Sequence, residues 1–192
     1  MTSTRKVPFA RRRKKKTNYI KRLALLKSGK DRLVFRRSNK SCIVQLVKYA
    51  PKGDQTIVHV NSKNLAKYGW PGKANLPSAY LCGYLAAKKC LSKGIKEVVF
   101  DIGLITPIRK SCCFAALKGA IDGGLSVPFS KEVIPDEDIY TGKCIERFAS
   151  SKSPEELKKL FSEYIKRGIE PRNLSEIFNK VKESIDKEFQ KK

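Results

Sequence analysis

This sequence is poor in histidine. It also lacks phosphate-binding glycine motifs and long apolar runs. It has one histidine, His59, among 192 residues, and it contains neither a GxxxxGK[ST] loop nor a GxGxxG turn. A Ser-His or Cys-His nucleophile pair therefore has a single candidate base, and nucleotide hydrolysis has no motif to support it. Because His59 lies inside the apolar run TIVHV, we expect it in the core or on the surface of a sheet.

Apolar segments long enough for a membrane are also missing. No run of eighteen apolar residues occurs, and the first residues contain no apolar stretch of signal-peptide length. We therefore expect neither a transmembrane helix nor a secretory signal, and a soluble protein of the cytoplasm. An organelle transit peptide is disfavoured because residues 11–16 are six consecutive cations with few hydroxyl residues around them.

Cysteines are present, but without the spacing of a metal site. No two of the six form a C-x-x-C pair, so no zinc site is predicted. They are Cys42, Cys82, Cys90, Cys112, Cys113 and Cys144. Most lie among apolar neighbours, where a reduced thiol behaves as a small hydrophobic group. We expect buried, unpaired thiols and no cofactor; one disulfide is the alternative if the source is a hyperthermophile.

Acidic residues are scarce at the start of the chain, where basic residues are abundant. The net charge is +24. Residues 1–40 hold 16 Lys and Arg against one acid, residues 41–128 hold 12 against four, and residues 129–192 hold 14 against 13. Like charges at this density repel one another in a compact chain, so a polyanionic partner is the simplest reason to keep them. Nucleic acid is the first candidate and an anionic membrane surface the second.

The middle of the chain predicts an α/β fold. Five apolar runs have the composition of strands: 33–35, 43–47, 56–60, 95–101 and 125–129. The first three are joined by short turns and predict an antiparallel meander, with a basic turn at 36–40. The last two alternate with helices predicted at 78–92 and 109–121, which is typical of βαβ crossovers and parallel pairing. We therefore predict a mixed β-sheet flanked by helices, with a further short helix near 62–70.

The two ends differ from this core in composition. Residues 1–16 have few apolar anchors and form a basic extension that we expect to be disordered on its own. Residues 131–192 contain no predicted strand and form a helical C-terminal appendage. Ser153 and Glu156 have the spacing of a capping box, and Asn173 repeats it for a final helix. The predicted division is the extension 1–16, an α/β core 17–130 and the appendage 131–192.

One more helix is predicted at the start of the core. Thr17 can cap its first turn, and Gly29 can end it in a left-handed conformation. Four apolar residues share one side, which we expect to pack on the core: Ile20, Leu23, Ala24 and Leu26. Three cations lie on the other side: Lys21, Arg22 and Lys27.

Asp101 is the acidic residue whose position suggests chemistry. It ends the apolar run VVFD, where nucleases of ribonuclease H-like architecture place a metal-binding carboxylate. That chemistry needs several carboxylates around two ions, and residues 41–128 contain only Asp54, Glu97, Asp101 and Asp122. We therefore predict a structural role, in which Asp101 accepts hydrogen bonds from the backbone of the following loop, and no metal and no enzymatic activity.

The basic residues carry the functional prediction. A solvated tail or a localisation signal would explain six cations in a row, but the cations continue through a predicted helix and into a hairpin turn. Phe9, Tyr19 and Phe35 are interleaved with them. Arginine pairs with phosphate oxygens and stacks on bases, and aromatic rings offer platforms for unpaired bases. RNA with loops and bulges fits this mixture better than uniform duplex DNA.

Several motifs in a fixed order then resemble a known family. VPFARRRKKKTNYIKRLALLKSGKDRLVFRRSNK is followed by YGW, NLPSAYLCG, FDIGL and GAIDGGL. This series resembles the archaeal form of the universal large-subunit ribosomal protein L-eighteen family, whose eukaryotic counterpart is ribosomal protein L-five. The resemblance covers about residues 6–150. It implies a non-enzymatic relative of the ribonuclease H-like topology, acting in translation as a structural constituent of the large ribosomal subunit. It further implies that the protein binds 5S rRNA and helps attach it to 23S rRNA in the central protuberance.

The resemblance also implies which residues face RNA, because the family uses its basic N-terminal segment and the adjoining sheet edge. They are Phe9, Arg11, Arg12, Arg13, Lys14, Lys15, Lys16, Thr17, Tyr19, Arg22, Lys30, Arg32, Arg36, Arg37, Ser38, Asn39 and Lys40. The bacterial-type ribosomal protein L-five is an expected neighbour, and the archaeal protein L-twenty-one is a further candidate. Two alternatives stay open: a metal-dependent ribonuclease H-like nuclease and a general nucleic-acid-binding protein.

Overall fold

A four-stranded mixed sheet forms the centre of the protein. The computed structural model describes residues 7–190. The strands are β1 (Asp31–Arg37), β2 (Cys42–Lys48), β3 (Gln55–Asn61) and β4 (Val98–Asp101), in the order β3-β2-β1-β4. β2 pairs antiparallel with both β1 and β3, whereas β1 and β4 are parallel. The predicted mixed sheet, with an antiparallel meander followed by parallel pairing, is confirmed.

Helices make up most of the rest of the described chain. They are α1 (Ala10–Arg13), α2 (Tyr19–Leu26), α3 (Leu76–Leu91), α4 (Cys112–Asp122), α5 (Glu137–Tyr140), α6 (Lys143–Ser150), α7 (Pro154–Leu160), α8 (Ser162–Lys166) and α9 (Leu174–Gln190). Three short 3₁₀ segments cover Ser62–Tyr68, Lys131–Val133 and Pro171–Asn173. None of the helices within residues 7–190 has both the length and the apolar character needed to cross a bilayer.

The turn between β1 and β2 is held by two serines. Ser38 N donates to Ser41 O at 2.8 Å, and Ser41 N donates to the Ser38 hydroxyl at 3.0 Å. Serine side chains commonly bond to nearby backbone in this way and so stabilise tight turns. The predicted basic hairpin is therefore confirmed, and its cations lie on an ordered turn.

The two faces of the sheet differ in character. Leu33, Phe35 and Val44 are at most 1% exposed and belong to the core that α3 and α4 cover. Residues alternate between faces along a strand, so Gln45 and His59 lie on the opposite face. There the Gln45 Nε2 and His59 Nδ1 atoms are 3.0 Å apart, and His59 is exposed. Helices thus cover one face of the sheet, and the other face is polar. His59 was expected either in the core or on the surface of a sheet, and it lies on the surface.

Helices α3 and α4 approach each other closely at two glycines. A Cβ atom on Gly83 would lie 1.9 Å from the carbonyl oxygen of Ala116. A Cβ atom on Gly119 would lie 2.0 Å from the carbonyl oxygen of Tyr80. No side chain fits at such distances, so both positions require glycine for backbone-to-backbone contact. This contact fixes the two helices as one layer against the sheet.

The packing predicted for α2 is wrong. Its apolar side does not face the core, because Ile20 is 70% exposed and Leu23 is 57% exposed. The helix is attached through its basic side instead, where Arg22 pairs with Asp54 at 2.8 Å. An amphipathic pattern specifies that a helix has an apolar face, but it does not specify which face the rest of the fold receives.

The segment before α2 also differs from its prediction. Residues 10–13 form the short helix α1, so the extension is not wholly without structure; residues 1–6 lie outside the described residues. The cap of α2 is Asn18 rather than Thr17, since Lys21 N donates to Asn18 Oδ1 at 3.1 Å. Gly29 has a φ of 68° and ends this region in the left-handed conformation that was predicted.

Two predictions in the second half of the chain need correction. The strand expected at 125–129 is a single parallel bridge between Glu97 and Ser126. Pro128 lacks the backbone N–H that a longer ladder would need. The capping box of Ser153 and Glu156 is confirmed, but the helix that follows is broken at Phe161 into α7 and α8. The short helix expected near 62–70 is the 3₁₀ segment Ser62–Tyr68.

The C-terminal helices extend the same core. Their buried contributors are Tyr164, Ile169, Leu174, Phe178, Val181 and Ile185. Two tyrosine hydroxyls donate to α9 from the core: Tyr84 to Asp186 Oδ1 at 2.7 Å, and Tyr68 to Glu188 Oε2 at 2.6 Å. Lys67 Nζ also lies 2.8 Å from Glu188. Within the described chain, residues 131–190 contain helices and no strand, as predicted.

The six thiols are free, as predicted, and five of them are buried. Burial raises the pKa of both Cys42 and Cys90 to about 12. Cys144 is the exception, since it is exposed on α6. Lys143 and Glu146 flank it in the sequence, but the buried Cys90 has charged neighbours too, so local composition did not distinguish the two.

Candidate nucleic-acid interface

A cleft rich in lysine and arginine opens beside β1. Its volume is about 620 Å³, and seven of its fifteen lining residues are Lys or Arg while two are Asp. The lining residues are Arg11, Lys16, Thr17, Asn18, Lys21, Arg22, Arg32, Arg36, Arg37, Asp54, Asp101, Ile102, Gly103, Leu104 and Ile105. The segment around α2, strand β1, the β2–β3 turn and the loop after β4 therefore meet here. We call this the first basic cleft.

Arg32 is the buried cation of the first basic cleft. Only 6% of its side chain is exposed. Its Nη1 donates to Asp101 Oδ2 at 2.8 Å, and its Nη2 donates to Asp54 Oδ2 at 2.5 Å. A charge removed from water in this way is tolerated only when it is paired and hydrogen-bonded. The two carboxylates therefore neutralise the buried charge of Arg32. Together the three residues connect β1, β4 and the β2–β3 turn.

Both carboxylates make a second contact that orders the rim of the cleft. Asp54 Oδ1 accepts a hydrogen bond from Arg22 Nη2 at 2.8 Å, which attaches α2. Asp101 Oδ1 accepts one from Gly103 N at 2.7 Å. The predicted role of Asp101, bonding to the backbone of the following loop, is confirmed. The ion pair with Arg32 was not predicted.

Two buried N–H donors in the first basic cleft find no acceptor within residues 7–190. They are the Nε atoms of Arg22 and Arg32. A buried donor without an acceptor costs roughly 1–3 kcal/mol. Both side chains line the cleft, so water or an anionic oxygen could satisfy these buried donors after a local rearrangement. The arrangement favours a ligand that brings negatively charged acceptors, such as a phosphate group.

The Arg36 side chain bonds to its own strand and lies against the loop after β4. Its Nη1 donates to Phe35 O at 2.8 Å. A Cβ atom on Gly103 would lie 2.6 Å from the same nitrogen, and Gly103 has a φ of 63°. The positive φ favours glycine at this turn, whereas the Arg36 guanidinium, as the end of a flexible side chain, would have to shift to admit a Cβ atom. Because Arg36 is nevertheless exposed, its charge is available to a ligand.

The basic extension folds back towards α2. Arg11 Nε donates to the Thr17 hydroxyl at 2.9 Å. The rings of Phe9 and Tyr19 have centroids 5.2 Å apart and are tilted by 55°, a geometry that aromatic pairs favour. Phe9 is 72% exposed. The segment therefore presents an aromatic surface next to its cations.

The structure brings together about half of the seventeen residues expected to face RNA. Seven line the first basic cleft: Arg11, Lys16, Thr17, Arg22, Arg32, Arg36 and Arg37. Asn39 and Lys40 line a second basic cleft. The others line neither: Phe9, Arg12, Arg13, Lys14, Lys15, Tyr19, Lys30 and Ser38. Of these, Lys30 pairs with Glu97 at 2.7 Å and so lowers the pKa of that carboxyl group.

Sequence reasoning missed part of the first basic cleft. Asn18, Lys21, Asp54, Asp101 and residues 102–105 line it but were not among the predicted site residues. Lys21 could have been found, because it adjoins Arg22 on the basic side of α2. Residues 102–105 could not, since only the parallel pairing of β4 with β1 places that loop beside the basic residues.

The described part of the chain contains no candidate metal-binding site. Residues 7–190 contain no group of three or more His, Cys, Asp or Glu side chains that could hold a metal ion. Asp101 itself has both oxygens engaged, one by Arg32 and one by Gly103 N.

Comparison with known proteins gives one family. Residues 3–97 match the family model described as "Ribosomal large subunit proteins 60S L5, and 50S L18". Three archaeal relatives are each named large ribosomal subunit protein uL18. The protein of Methanobrevibacter smithii is 46% identical over 185 residues, which cover 96% of each chain. That of Korarchaeum cryptofilum is 48% identical over 182 residues, covering 94% of this chain and 93% of its own. That of Thermofilum pendens is 45% identical over 189 residues, covering 96% of each.

Proposed function

The chain belongs to the uL18 family of large ribosomal subunit proteins, and from this premise we propose that it binds 5S rRNA and helps attach it to 23S rRNA in the central protuberance. As a member of this family it is a ribosomal protein of the cytoplasm, and we propose a structural rather than an enzymatic role. The archaeal relatives match over nearly their full length, which supports the assignment of the whole chain to one role.

The observation that carries the proposal is the first basic cleft. Its two acidic residues are both paired with arginines inside the cleft, so they do not repel an anionic ligand. Lys16, Lys21 and Arg36 remain exposed on ordered segments. Phosphate contacts from such residues give affinity and fix orientation, and the fixed shape of the cleft gives selection among RNA structures.

The roles of the predicted residues differ within this proposal. Arg11, Lys16, Arg22, Arg36 and Arg37 bind phosphates of 5S rRNA in the cleft. Arg32 holds the cleft together through its two carboxylate partners, and because its side chain is buried we assign it this positioning role rather than a phosphate contact. The remaining residues of the extension contact RNA along its course: Phe9, Arg12, Arg13, Lys14, Lys15, Thr17 and Tyr19. Lys30, Ser38, Asn39 and Lys40 extend this surface along β1 and its turn.

Three further features belong to the same proposal. The strand order β3-β2-β1-β4, followed by the bridge of Glu97 to Ser126, supports a ribonuclease H-like topology. The division into the extension 1–16, the core 17–130 and the appendage 131–192 is kept as a proposal about domains. Bacterial-type ribosomal protein L-five, and the archaeal protein L-twenty-one, are the proposed protein neighbours.

A competition experiment tests the proposed function. Labelled 5S rRNA bound to the full chain is displaced by unlabelled 5S rRNA or by duplex DNA at matched salt. We expect 5S rRNA to be preferred by at least tenfold, which equals about 1.4 kcal/mol. If about six phosphates are contacted, the plot of log affinity against log salt should have a slope of roughly −4 to −5. Equal affinity for the two competitors, or a slope near zero, would overturn the proposal.

A charge variant tests the contribution of the first basic cleft. Replacing Arg36 and Arg37 together by glutamine should weaken 5S rRNA binding on the order of tenfold and lower the salt slope by about 1.5–2. The matched control replaces Lys158 and Lys159 of α7 by glutamine; both residues are exposed and do not line the cleft. It removes the same charge and should change binding far less.

The nuclease alternative is tested with the same RNA. It requires Mg²⁺-dependent cleavage of RNA that Asp101→Asn abolishes. We expect no cleavage by either protein, because the carboxylate of Asp101 is engaged by Arg32 and by Gly103 N.

A further inference from the structure

A second basic cleft lies on the other side of the β1–β2 turn, and it joins the core to the C-terminal helices. It has a volume of about 840 Å³. The turn contributes Lys40, the 3₁₀ segment contributes Lys63, the loop before α3 contributes Lys73, and the residue after α8 contributes Arg167. We propose that this second basic cleft binds backbone phosphates of the same 5S rRNA that occupies the first. The inference rests on the proposed function and extends its binding surface to the C-terminal region.

The core wall of the second basic cleft is rigid. Ser62 is fully buried; its hydroxyl accepts from Cys42 N at 3.2 Å and donates to Gly72 O at 3.0 Å. A Cβ atom on Gly72 would lie 2.4 Å from Ser62 O, so the loop is pressed against the 3₁₀ segment. Trp70 is fixed as well, because its Nε1 donates to Ser78 Oγ at 2.8 Å. A preorganised wall loses little conformational entropy when a ligand binds.

The opposite wall comes from α8 and its C-terminal end. Glu163 pairs with Lys73 across the cleft. Asn75 Nδ2 donates to the Tyr164 hydroxyl at 2.9 Å, which attaches α8 to the start of α3. These contacts place Arg167 opposite the cations of the core. The C-terminal helices are therefore needed to complete the cleft.

The charge of the second basic cleft favours a polyanion. Four cations line it, and Glu163, its one acidic residue, is already paired. Burial, and then the neighbouring charge of Arg167, lower the pKa of Lys73 below its usual range. Cations that are held this close repel one another in the free protein, and a bound phosphate would relieve that repulsion.

The position of the β1–β2 turn favours RNA over an acidic protein segment. This hairpin contributes Arg36 and Arg37 to the first basic cleft and Asn39 and Lys40 to the second. The cations therefore continue from one cleft to the other around a single ordered turn. A continuous phosphate backbone matches such a path, because its charges repeat regularly along its length.

The experiment compares two double variants of the full chain with the unmodified protein. The test variant is Lys63→Gln with Arg167→Gln; both side chains are exposed, so the fold should be retained. The control is Lys158→Gln with Lys159→Gln, which makes the same charge change outside the cleft. The probe is 5S rRNA. Binding is measured at several salt concentrations, and hydroxyl-radical footprints are recorded at saturating protein.

We expect the test variant to bind 5S rRNA on the order of tenfold more weakly than the control, with a salt slope lower by about 1.5–2. At saturation it should lose protection of one RNA segment while keeping the segment that the Arg36 and Arg37 variant loses. An unchanged footprint, or an affinity equal to that of the control, would overturn the inference. That result would assign the cleft to a protein or to another RNA. The proposed function fails separately, if the unmodified chain does not prefer 5S rRNA.

Discussion

Arg32 and Asp101 form a buried ion pair between the parallel strands β1 and β4, with Nη1 and Oδ2 2.8 Å apart. Neither side chain is more than 10% exposed. We expect Asp101→Asn to lower the free energy of unfolding by about 3 kcal/mol, because it removes one partner of a buried charge. Asp54 still pairs with Arg32, which should keep the variant folded. Urea unfolding measures the change.

An exposed ion pair supplies the control for that experiment. Asp138 pairs with Arg147 at 2.7 Å, but 44% of the Asp138 side chain is exposed. Asp138→Asn makes the same chemical change at the surface, where ion pairs contribute little. Its effect should be a small fraction of that at Asp101. Equal losses for the two variants would mean that the Arg32 network does not stabilise the fold.

Gly83 and Gly119 should resist the change that usually strengthens a helix. Glycine to alanine in a helix interior is ordinarily favourable by roughly 0.5–1 kcal/mol. Here the new methyl groups would lie 1.9 Å and 2.0 Å from backbone oxygens of the facing helix. We expect each variant to lose about 2 kcal/mol or more, as overpacked cores do. Thermal unfolding decides between the two expectations, and a raised melting temperature would contradict the close helix contact.

Cys144 should be the one thiol that reacts in the native protein. It is exposed, whereas the other five are buried. Burial also raises the pKa of Cys42 to about 12, which keeps that thiol protonated at neutral pH. Iodoacetamide should therefore label one thiol per native chain and six after denaturation, as counted by mass spectrometry. Cys144→Ser is the control and should abolish native labelling; rapid native labelling at a second thiol would contradict the packing.

Local sequence signals were sufficient for most of the sheet. The apolar runs in β1 and β2, with Ser38 and Asn39 between them, predict a hairpin because strand and turn propensities agree there. The parallel position of β4 followed from the alternation of strands and helices. The strand expected at 125–129 failed because Pro128 removes a donor from the ladder. Pro128 is visible in the sequence, but the apolar residues around it were given more weight in predicting a strand.

The candidate site was less predictable because tertiary contacts build it. Charge density located Arg22, Arg36 and Arg37, but nothing local indicates that Asp54 and Asp101 would converge on Arg32 from distant segments. The same network explains the error at α2. Its basic side turns inward to reach Asp54, so its apolar side is left exposed. A pattern of cations therefore predicts that anions will bind, but not which cations the fold uses for itself.

The docking of α9 should depend on pH through Asp186. Burial raises the pKa of Asp186, but hydrogen bonds from Lys88 and Tyr84 outweigh it, and the net result lies below the usual value for an aspartate. A carboxyl group with a lowered folded pKa stabilises the protein above its unfolded value, near 3.9, and this contribution is lost as the pH falls through the folded pKa.

The test compares Asp186→Asn with the unmodified chain by urea unfolding from pH 7 down to pH 2. At pH 7 we expect the variant to be less stable by about 1 kcal/mol, since the group is partly exposed and loses one charge-assisted interaction. The difference should shrink below about pH 4, because the unmodified carboxyl group is then losing its charge as well. Glu183→Gln, at an exposed position of the same helix, is the control and should show little change at any pH. A difference that stays constant down to pH 2 would mean that the charge of Asp186 does not hold α9 against Tyr84 and Lys88.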